Sequence, residues 1–101
     1  MARYRLSSVA DGKIAFIYEY SVLTFGEAQA DVSFLGMHDL FDLLATNPSM
    51  GREEPALGQS IRRFLYQAHL IFYRQVVDGI LILDVLGVRQ KPRPLSSSSE
   101  D

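Results

Sequence analysis

The clearest pattern along the chain is an apolar stripe between residues 27 and 46. Its members are separated by four and three residues, which places them on one side of an α-helix. They are Ala30, Phe34, Met37, Phe41 and Leu44, and Ala28, Val32, Leu35 and Leu40 widen the stripe. Asn47-Pro48 predicts the end of this helix, since the residue before a proline disfavours helical geometry.

A second helix is predicted over residues 8–23. Ser8 and Asp11 have the spacing of a capping box, which indicates a helix start. The apolar face of this helix is formed by Ile14, Ile17 and Tyr18, with Tyr20 and Leu23 beside it. Residues 24–27 form a short break with a hydroxyl, Thr24, three residues before a carboxylate. Two helices joined by so short a break are expected to form an antiparallel hairpin.

The remaining apolar residues follow the two-residue period of β-strands. Residues 2–6 predict a short N-terminal strand. After a loop over residues 49–59, the segments 61–65, 69–74 and 80–86 predict three antiparallel strands, and Asp78-Gly79 suits a type I′ hairpin turn. The predicted fold is therefore α+β: an N-terminal strand, an antiparallel helical hairpin and a three-stranded antiparallel sheet, which the first strand joins.

The last of these strands is apolar on both faces. Strict alternation puts Ile80, Ile82 and Leu86 on one face and Leu81, Leu83 and Val85 on the other. One helical hairpin covers only one face, so Leu81, Leu83 and Val85 are candidates for an exposed apolar face. Two interpretations remain open: curling of the sheet or the C-terminal tail covers them, or a partner segment or a second copy of the chain does.

Length and composition predict one domain in the reducing cytoplasm. Residues 1–89 are expected to form the domain, and residues 90–101, with two prolines and four consecutive serines, a disordered tail. The chain has no cysteine, no signal-peptide pattern and no apolar run long enough to span a membrane. Its net charge of −2 is not that of a general nucleic-acid binder.

The basic residues are mostly arginines and lie unevenly along the chain. Between residues 61 and 93 only Asp78 and Asp84 are acidic. The basic residues of that span are Arg62, Arg63, Arg74, Arg89, Lys91 and Arg93. Arginine's planar fork suits contacts at interfaces better than lysine's ammonium does.

Five segments, in order, resemble the toxins of the RelE/ParE superfamily, and the ParE type in particular. The resemblance covers roughly residues 4–89. Its motifs are Tyr4-Arg5-Leu6-Ser7, the pattern from Ala10 to Ser21, Phe25-Gly26-x-x-Gln29-Ala30, the stretch from Leu44 to Arg52, and the strand core Ile61-Arg62-Arg63-Phe64, His69-x-Ile71-Phe72-Tyr73-Arg74 and Ile80-x-Ile82-x-x-Val85-Leu86.

This resemblance implies the toxin of a type II toxin–antitoxin system. Such a toxin is neutralised by a cognate ParD-like antitoxin, and ParE-type members inhibit DNA gyrase. It leaves two alternatives: a ribosome-dependent mRNA endonuclease of the RelE kind, or a non-toxic toxin-fold protein retained for antitoxin binding and operon regulation. Two positions depart from the family's ending: Asp84 stands where an arginine is usual, and Gly87 where a histidine is usual.

The chemistry of the residues favours binding over catalysis. Metal-free RNA cleavage needs a base, an acid and cations near the phosphate, and both lysines, Lys13 and Lys91, are predicted to lie off the sheet. No catalytic residue, cofactor, metal site, membrane contact or direct sequence-specific nucleic-acid contact is predicted. A homo-oligomer, or a hetero-oligomer with the antitoxin, is expected. The candidates for contact with the target or the antitoxin are Arg62, Arg63, Tyr73, Arg74 and Arg89, with Arg74 and Arg89 favoured.

Overall fold

The chain folds into two layers, a helical hairpin packed on one face of a five-stranded sheet. A computed structural model describes residues 2–87. Its helices and strands are β1 (Arg3–Leu6), α1 (Ser8–Phe25), α2 (Glu27–Thr46), β2 (Arg52–Glu53), β3 (Ile61–Tyr66), β4 (His69–Val76) and β5 (Gly79–Gly87), with short 3₁₀ turns at Pro48–Met50 and Pro55–Leu57. The predicted α+β fold is confirmed, and the predicted antiparallel strands are β3, β4 and β5.

Helix α1 begins at Ser8 as predicted, but the capping-box pattern misplaces its cap by one residue. The cap is Ser7, whose Oγ accepts the Ala10 N–H at 3.0 Å and donates to the Leu83 carbonyl at 2.8 Å. Ser8 is already helical. Since one hydroxyl serves both the helix and β5, the start of α1 is fixed against the sheet.

The break between the helices is Gly26, which adopts a φ of 92°. This left-handed conformation costs glycine little and other residues more. The predicted cap Thr24 lies inside α1 instead, and α2 begins without a side-chain cap. The hairpin is antiparallel as predicted: the Tyr18 hydroxyl near the end of α1 donates to Asp31 near the start of α2 at 2.6 Å.

The predicted stripe of α2 forms the centre of the core. Met37, Phe41 and Leu44 are buried with residues of the sheet, and Ala30 is buried as well. Phe34 packs edge-on against the Tyr18 ring. Two of the residues predicted to widen this stripe, Val32 and Leu35, are not buried. They lie on the outer side of the helix and are 64% and 62% exposed.

The strand order is β1-β5-β4-β3-β2, so the N-terminal strand joins the sheet as expected, running parallel to β5. The β4–β5 hairpin forms, but the type I′ prediction is wrong. Its two central residues are Val77 and Asp78, neither of which has the positive φ that type I′ requires. Gly79 instead begins β5, where a Cβ would lie 1.6 Å from the Arg3 carbonyl oxygen.

A β-bulge in β5 reverses the predicted alternation at its end. Tyr73 lies opposite Ile82 but Phe72 opposite Asp84, so Leu83 is an extra residue. Val85 therefore lies under the helices with Ile80 and Ile82, and is only 1% exposed. The prediction of Val85 as an exposed-face residue is wrong, and so is the placement of Leu86 beside Ile80.

The second face of the sheet has a small core of its own. Leu57, Ile61, Phe72 and Leu86 form a buried cluster, against which Leu83 packs. Leu57 belongs to the segment predicted as a plain loop. This segment covers part of the second face of the sheet, whereas the two interpretations left open from the sequence were curling of the sheet or the tail, and a partner segment or second copy. Leu81 and Leu83 are half-buried. The predicted tail lies outside the described residues, and the domain boundary at residue 89 stays a prediction.

Candidate protein-binding surface

Helix α1 carries a second apolar stripe that faces away from the sheet. Val9, Phe16, Tyr20 and Leu23 recur at helical spacing and are all more than half exposed, Leu23 to 87%. The side of α1 that packs on the sheet is formed by other residues, chiefly Ala10 and Ile14. A helix with two apolar sides has more apolar surface than its own domain can bury.

Three more apolar side chains of the hairpin are exposed. Phe25 lies at the end of α1, and Val32 and Leu35 lie on the outer side of α2. We name the set the hairpin surface; it consists of Val9, Phe16, Tyr20, Leu23, Phe25, Val32 and Leu35. Exposed apolar side chains in such number indicate a protein-binding site.

A groove lies between the hairpin and the β3–β4 turn. It encloses about 510 Å³, and its walls include Phe25 of the hairpin surface, Met37 of α2 and Tyr66 of β3. Phe25 therefore lies at a concave site, the kind of site in which peptide segments bind.

This surface was not predicted from the sequence. The signal was present in the spacing of Val9, Phe16, Tyr20 and Leu23, but Tyr20 and Leu23 were interpreted as a widening of the core face. The residues predicted to form an exposed apolar face were those of the last strand, Leu81, Leu83 and Val85.

Both arginines of β3 hold the segment before that strand. The Arg62 guanidinium donates to the Gly51 carbonyl at 2.7 Å and pairs with Glu53 at 3.2 Å. Arg63 pairs with Glu54 at 2.9 Å. Arg62 and Arg63, both predicted as contact candidates, therefore anchor the fold.

Tyr73 is a core residue and does not reach the surface. The side chain is fully buried. Its hydroxyl donates a hydrogen bond to the Pro48 carbonyl at 2.8 Å and accepts one from the Gly51 N–H at 2.7 Å. Burial raises the pKa of Tyr73, opposed by the Gly51 N–H and the nearby Arg62. The side chain therefore stays a neutral hydrogen-bonding anchor, and the prediction of Tyr73 as a partner contact does not fit this structure.

Arg74 is the predicted contact residue that the structure leaves available. It is exposed on β4, opposite Leu81 of β5 and Ile61 of β3, on the face away from the helices. Arg89 lies outside the described residues, so its predicted role stays a prediction.

Asp84, which departs from the family's arginine, has a structural role here. It is only 7% exposed, pairs with the Lys13 ammonium at 2.9 Å and accepts the Val85 N–H at 2.8 Å. Its carboxylate therefore joins the bulge of β5 to α1. Gly87, the second departure, lies opposite His69 at the end of the sheet.

The histidines are held by the fold. The His38 ring shares a hydrogen bond with the Tyr4 hydroxyl and packs against Phe34 and Phe41. Burial lowers the pKa of His69.

Within residues 2–87, no three His, Asp or Glu side chains lie close enough together to hold a metal ion. None of the helices in that range is both long and apolar enough for a transmembrane span.

Comparison with known proteins points in one direction. The family model for the ParE toxin of the type II toxin–antitoxin system parDE matches residues 4–92. Toxin ParE1 of Caulobacter vibrioides is 31% identical over 74 residues, which cover 73% of this chain and 77% of that protein. A chain from the structure of the chromosomal ParDE TA system of P. aeruginosa superposes with a TM-score of 0.72 at 18% identity, over 86% of this chain and 96% of that one.

Proposed function

We propose, from the premise that the chain belongs to the ParE toxins of type II parDE toxin–antitoxin systems, that it arrests growth by inhibiting DNA gyrase in the cytoplasm. A cognate ParD-like antitoxin binds it and keeps it inactive. Membership of the family supports the role as a toxin. The exposed apolar side chains of the hairpin surface support binding to a protein partner.

The antitoxin is proposed to cover the hairpin surface. Phe16 and Leu23 are 68% and 87% exposed, and burying aromatic and aliphatic side chains is the main favourable term in such association. An amphipathic segment with apolar residues at helical spacing would pack along α1 and end in the groove beside Phe25.

This part of the proposal is tested with the chain and the small protein encoded beside it. Phe16→Asp and Leu23→Asp are each expected to weaken the complex at least tenfold, measured by titration calorimetry, because each places a charge in an apolar contact. Val77→Asp is the matched control, since Val77 is fully exposed in the β4–β5 turn. Equal loss in all three variants, or none in the first two, would show that the antitoxin binds elsewhere.

Binding, not catalysis, is proposed as the mode of action. Of the side chains that RNA cleavage would need near the phosphate, Arg62 and Arg63 are paired with Glu53 and Glu54, and Tyr73 is buried. Induction of the chain alone, with assays of DNA damage response, supercoiling and message integrity, tests this. The proposal expects growth arrest with damage response and lost supercoiling. Arrest with intact supercoiling and cut messages would instead establish a nuclease.

A second candidate is supported by Asp84. The family pattern has an arginine at this position, and here a carboxylate paired with Lys13 replaces it. A toxin-fold protein without toxicity, retained for antitoxin binding and operon regulation, would show no growth arrest on induction while still forming the antitoxin complex. Asp84→Arg together with Lys13→Glu would then restore toxicity, whereas under the gyrase proposal the unmodified chain is already toxic.

A further inference from the structure

Charge is segregated between the two layers of the fold. The helical hairpin has one basic side chain, Lys13, and that is paired with Asp84. The acidic residues of α1 and α2 are Asp11, Glu19, Glu27, Asp31, Asp39 and Asp42. The outer side of the hairpin is therefore negative, and a net charge of −2 over the whole chain conceals a positive side elsewhere.

The positive side is the face of the sheet away from the helices. Residues opposite one another on neighbouring strands point to the same face, and one such row runs from Arg5 through Leu81 and Arg74 to Ile61. Arg3 lies two residues before Arg5 on β1, so it shares this face. At the other edge Arg52 is opposite Arg63, which is opposite Phe72 of the small second core.

Four of these arginines are exposed and form no ion pair or hydrogen bond of the side chain within residues 2–87. We name them the arginine face; they are Arg3, Arg5, Arg52 and Arg74. Of the nearby carboxylates, Glu54 is paired with Arg63, and Asp78 lies in the turn beside Arg3. The positive charge of this face is therefore mostly uncompensated by the chain itself.

We propose that the arginine face binds the sugar–phosphate backbone of double-stranded DNA. Guanidinium groups form paired, planar hydrogen bonds with phosphate oxygens. The face spans all five strands, about 19 Å at the usual strand spacing. Arg5 and Arg74 are two strands apart, about 10 Å, which with flexible side chains matches phosphates across a B-form major groove of about 12 Å.

The aromatic residues decide between duplex and single strands. Within the described range, the aromatic side chain on this face is Phe72, and it is fully buried. Tyr4 and Tyr66 pack toward the helical layer instead. Without an exposed ring the face has no platform on which unpaired bases stack, so it suits a duplex backbone and gives no sequence readout.

This inference does not depend on the gyrase proposal. DNA binding without gyrase inhibition would support the DNA-binding role of the arginine face and refute gyrase as the target. Gyrase inhibition by a chain that does not bind DNA would support gyrase as the target and refute the DNA-binding role. If both hold, the toxin contacts the DNA on which its target acts, with the acidic hairpin turned away from it.

The experiment is a titration of the full purified chain into a fluorescently labelled 20-base-pair duplex, read by anisotropy at several salt concentrations. Three to four phosphate contacts predict that log K falls with log salt at a slope of about −2.7 to −3.6. Between 50 and 200 mM NaCl the affinity is then expected to fall about 40- to 150-fold. Affinity that does not change with salt would overturn the proposal.

Two triple variants with the same change in net charge distinguish the effect of the arginine face from the effect of net charge alone. Arg3→Gln/Arg5→Gln/Arg74→Gln is expected to lower the slope to about −1, since one contact remains. Ser8→Glu/Ala28→Glu/Gln29→Glu makes the same change in net charge at exposed helix starts and is expected to keep the wild-type slope. Circular dichroism and thermal unfolding establish that both variants are folded.

Four results would contradict the inference. They are an unchanged slope in the arginine variant, an equal loss in the glutamate variant, tighter binding of a duplex RNA of the same sequence, and competition by polyglutamate at lower concentration than by unlabelled DNA. The last would identify the face as a site for an acidic polypeptide.

Discussion

Tyr73→Phe tests how the segment after α2 is fixed to the sheet. The hydroxyl of Tyr73 accepts the buried Gly51 N–H at 2.7 Å and donates to the Pro48 carbonyl at 2.8 Å. Removing it loses both hydrogen bonds. Loss of the bond to the Pro48 carbonyl costs about 1 kcal/mol, and the buried Gly51 N–H left unsatisfied costs about 1–3 kcal/mol. The free energy of unfolding is therefore expected to fall by about 2–4 kcal/mol.

Urea unfolding followed by circular dichroism measures this change. For a domain of this size the expected loss lowers the thermal midpoint by roughly 10–25 °C. Tyr20→Phe is the control, because Tyr20 is 58% exposed and its loss of a hydroxyl is expected to change stability by less than about 0.5 kcal/mol. Equal stability of Tyr73→Phe and Tyr20→Phe would refute the assignment of Tyr73 as an anchor.

The remaining predictions concern other fixed points of the fold. Gly79→Ala is expected to prevent stable folding, because the new methyl would lie 1.6 Å from a carbonyl oxygen of β1, whereas Gly12→Ala, with open space around it, is expected to raise the thermal midpoint. Calorimetry of both variants checks this, and a folded, unshifted Gly79→Ala would contradict it. Lys13→Met is expected to destabilise by about 2 kcal/mol and Asp84→Asn by less, since Asp84 is the buried member of the pair; urea unfolding with the opposite order would be inconsistent with the structure. Burial lowers the pKa of His69, so the unfolded chain binds a proton more readily, and stability is expected to be full above about pH 6.5 and to fall below it. His69→Gln should flatten that pH dependence, and an unchanged profile would locate it at another group.

The helices were predictable because their signals are local. The stripe containing Met37 and Phe41 needs only helical periodicity, and Asn47-Pro48 ends α2 as expected. The caps of the helices were less predictable, since Ser7 and Ser8 are equally suited to cap α1 and only the Leu83 carbonyl of β5 distinguishes them.

The errors in the sheet have a common physical cause. The bulge at Leu83 depends on the register with β4, which no residue of β5 specifies by itself, and it moved Val85 from the expected outer face into the core. Strand β2 has only two residues, too few for a two-residue period to be visible in the sequence. The ion pairs of Arg62 with Glu53 and of Arg63 with Glu54 were therefore not predicted, and both arginines were predicted to be contact candidates.

The candidate surfaces were predictable in part. Arg74 was selected as a contact residue and is exposed. The arginine face as a set was not visible, because β1 and β4 are far apart in sequence and become neighbours of β5 only in the folded sheet. The hairpin surface was missed although its spacing is local, since a helix was assumed to have one apolar side.

The central claim, inhibition of gyrase, is tested most directly by a supercoiling assay with purified components. Relaxed plasmid, DNA gyrase and ATP are incubated with the full chain, with and without its antitoxin, and the products are resolved by electrophoresis. The proposal predicts loss of supercoiling that depends on the concentration of the chain and is reversed by the antitoxin. Full supercoiling activity at a molar excess of a chain that still arrests growth in cells would contradict it.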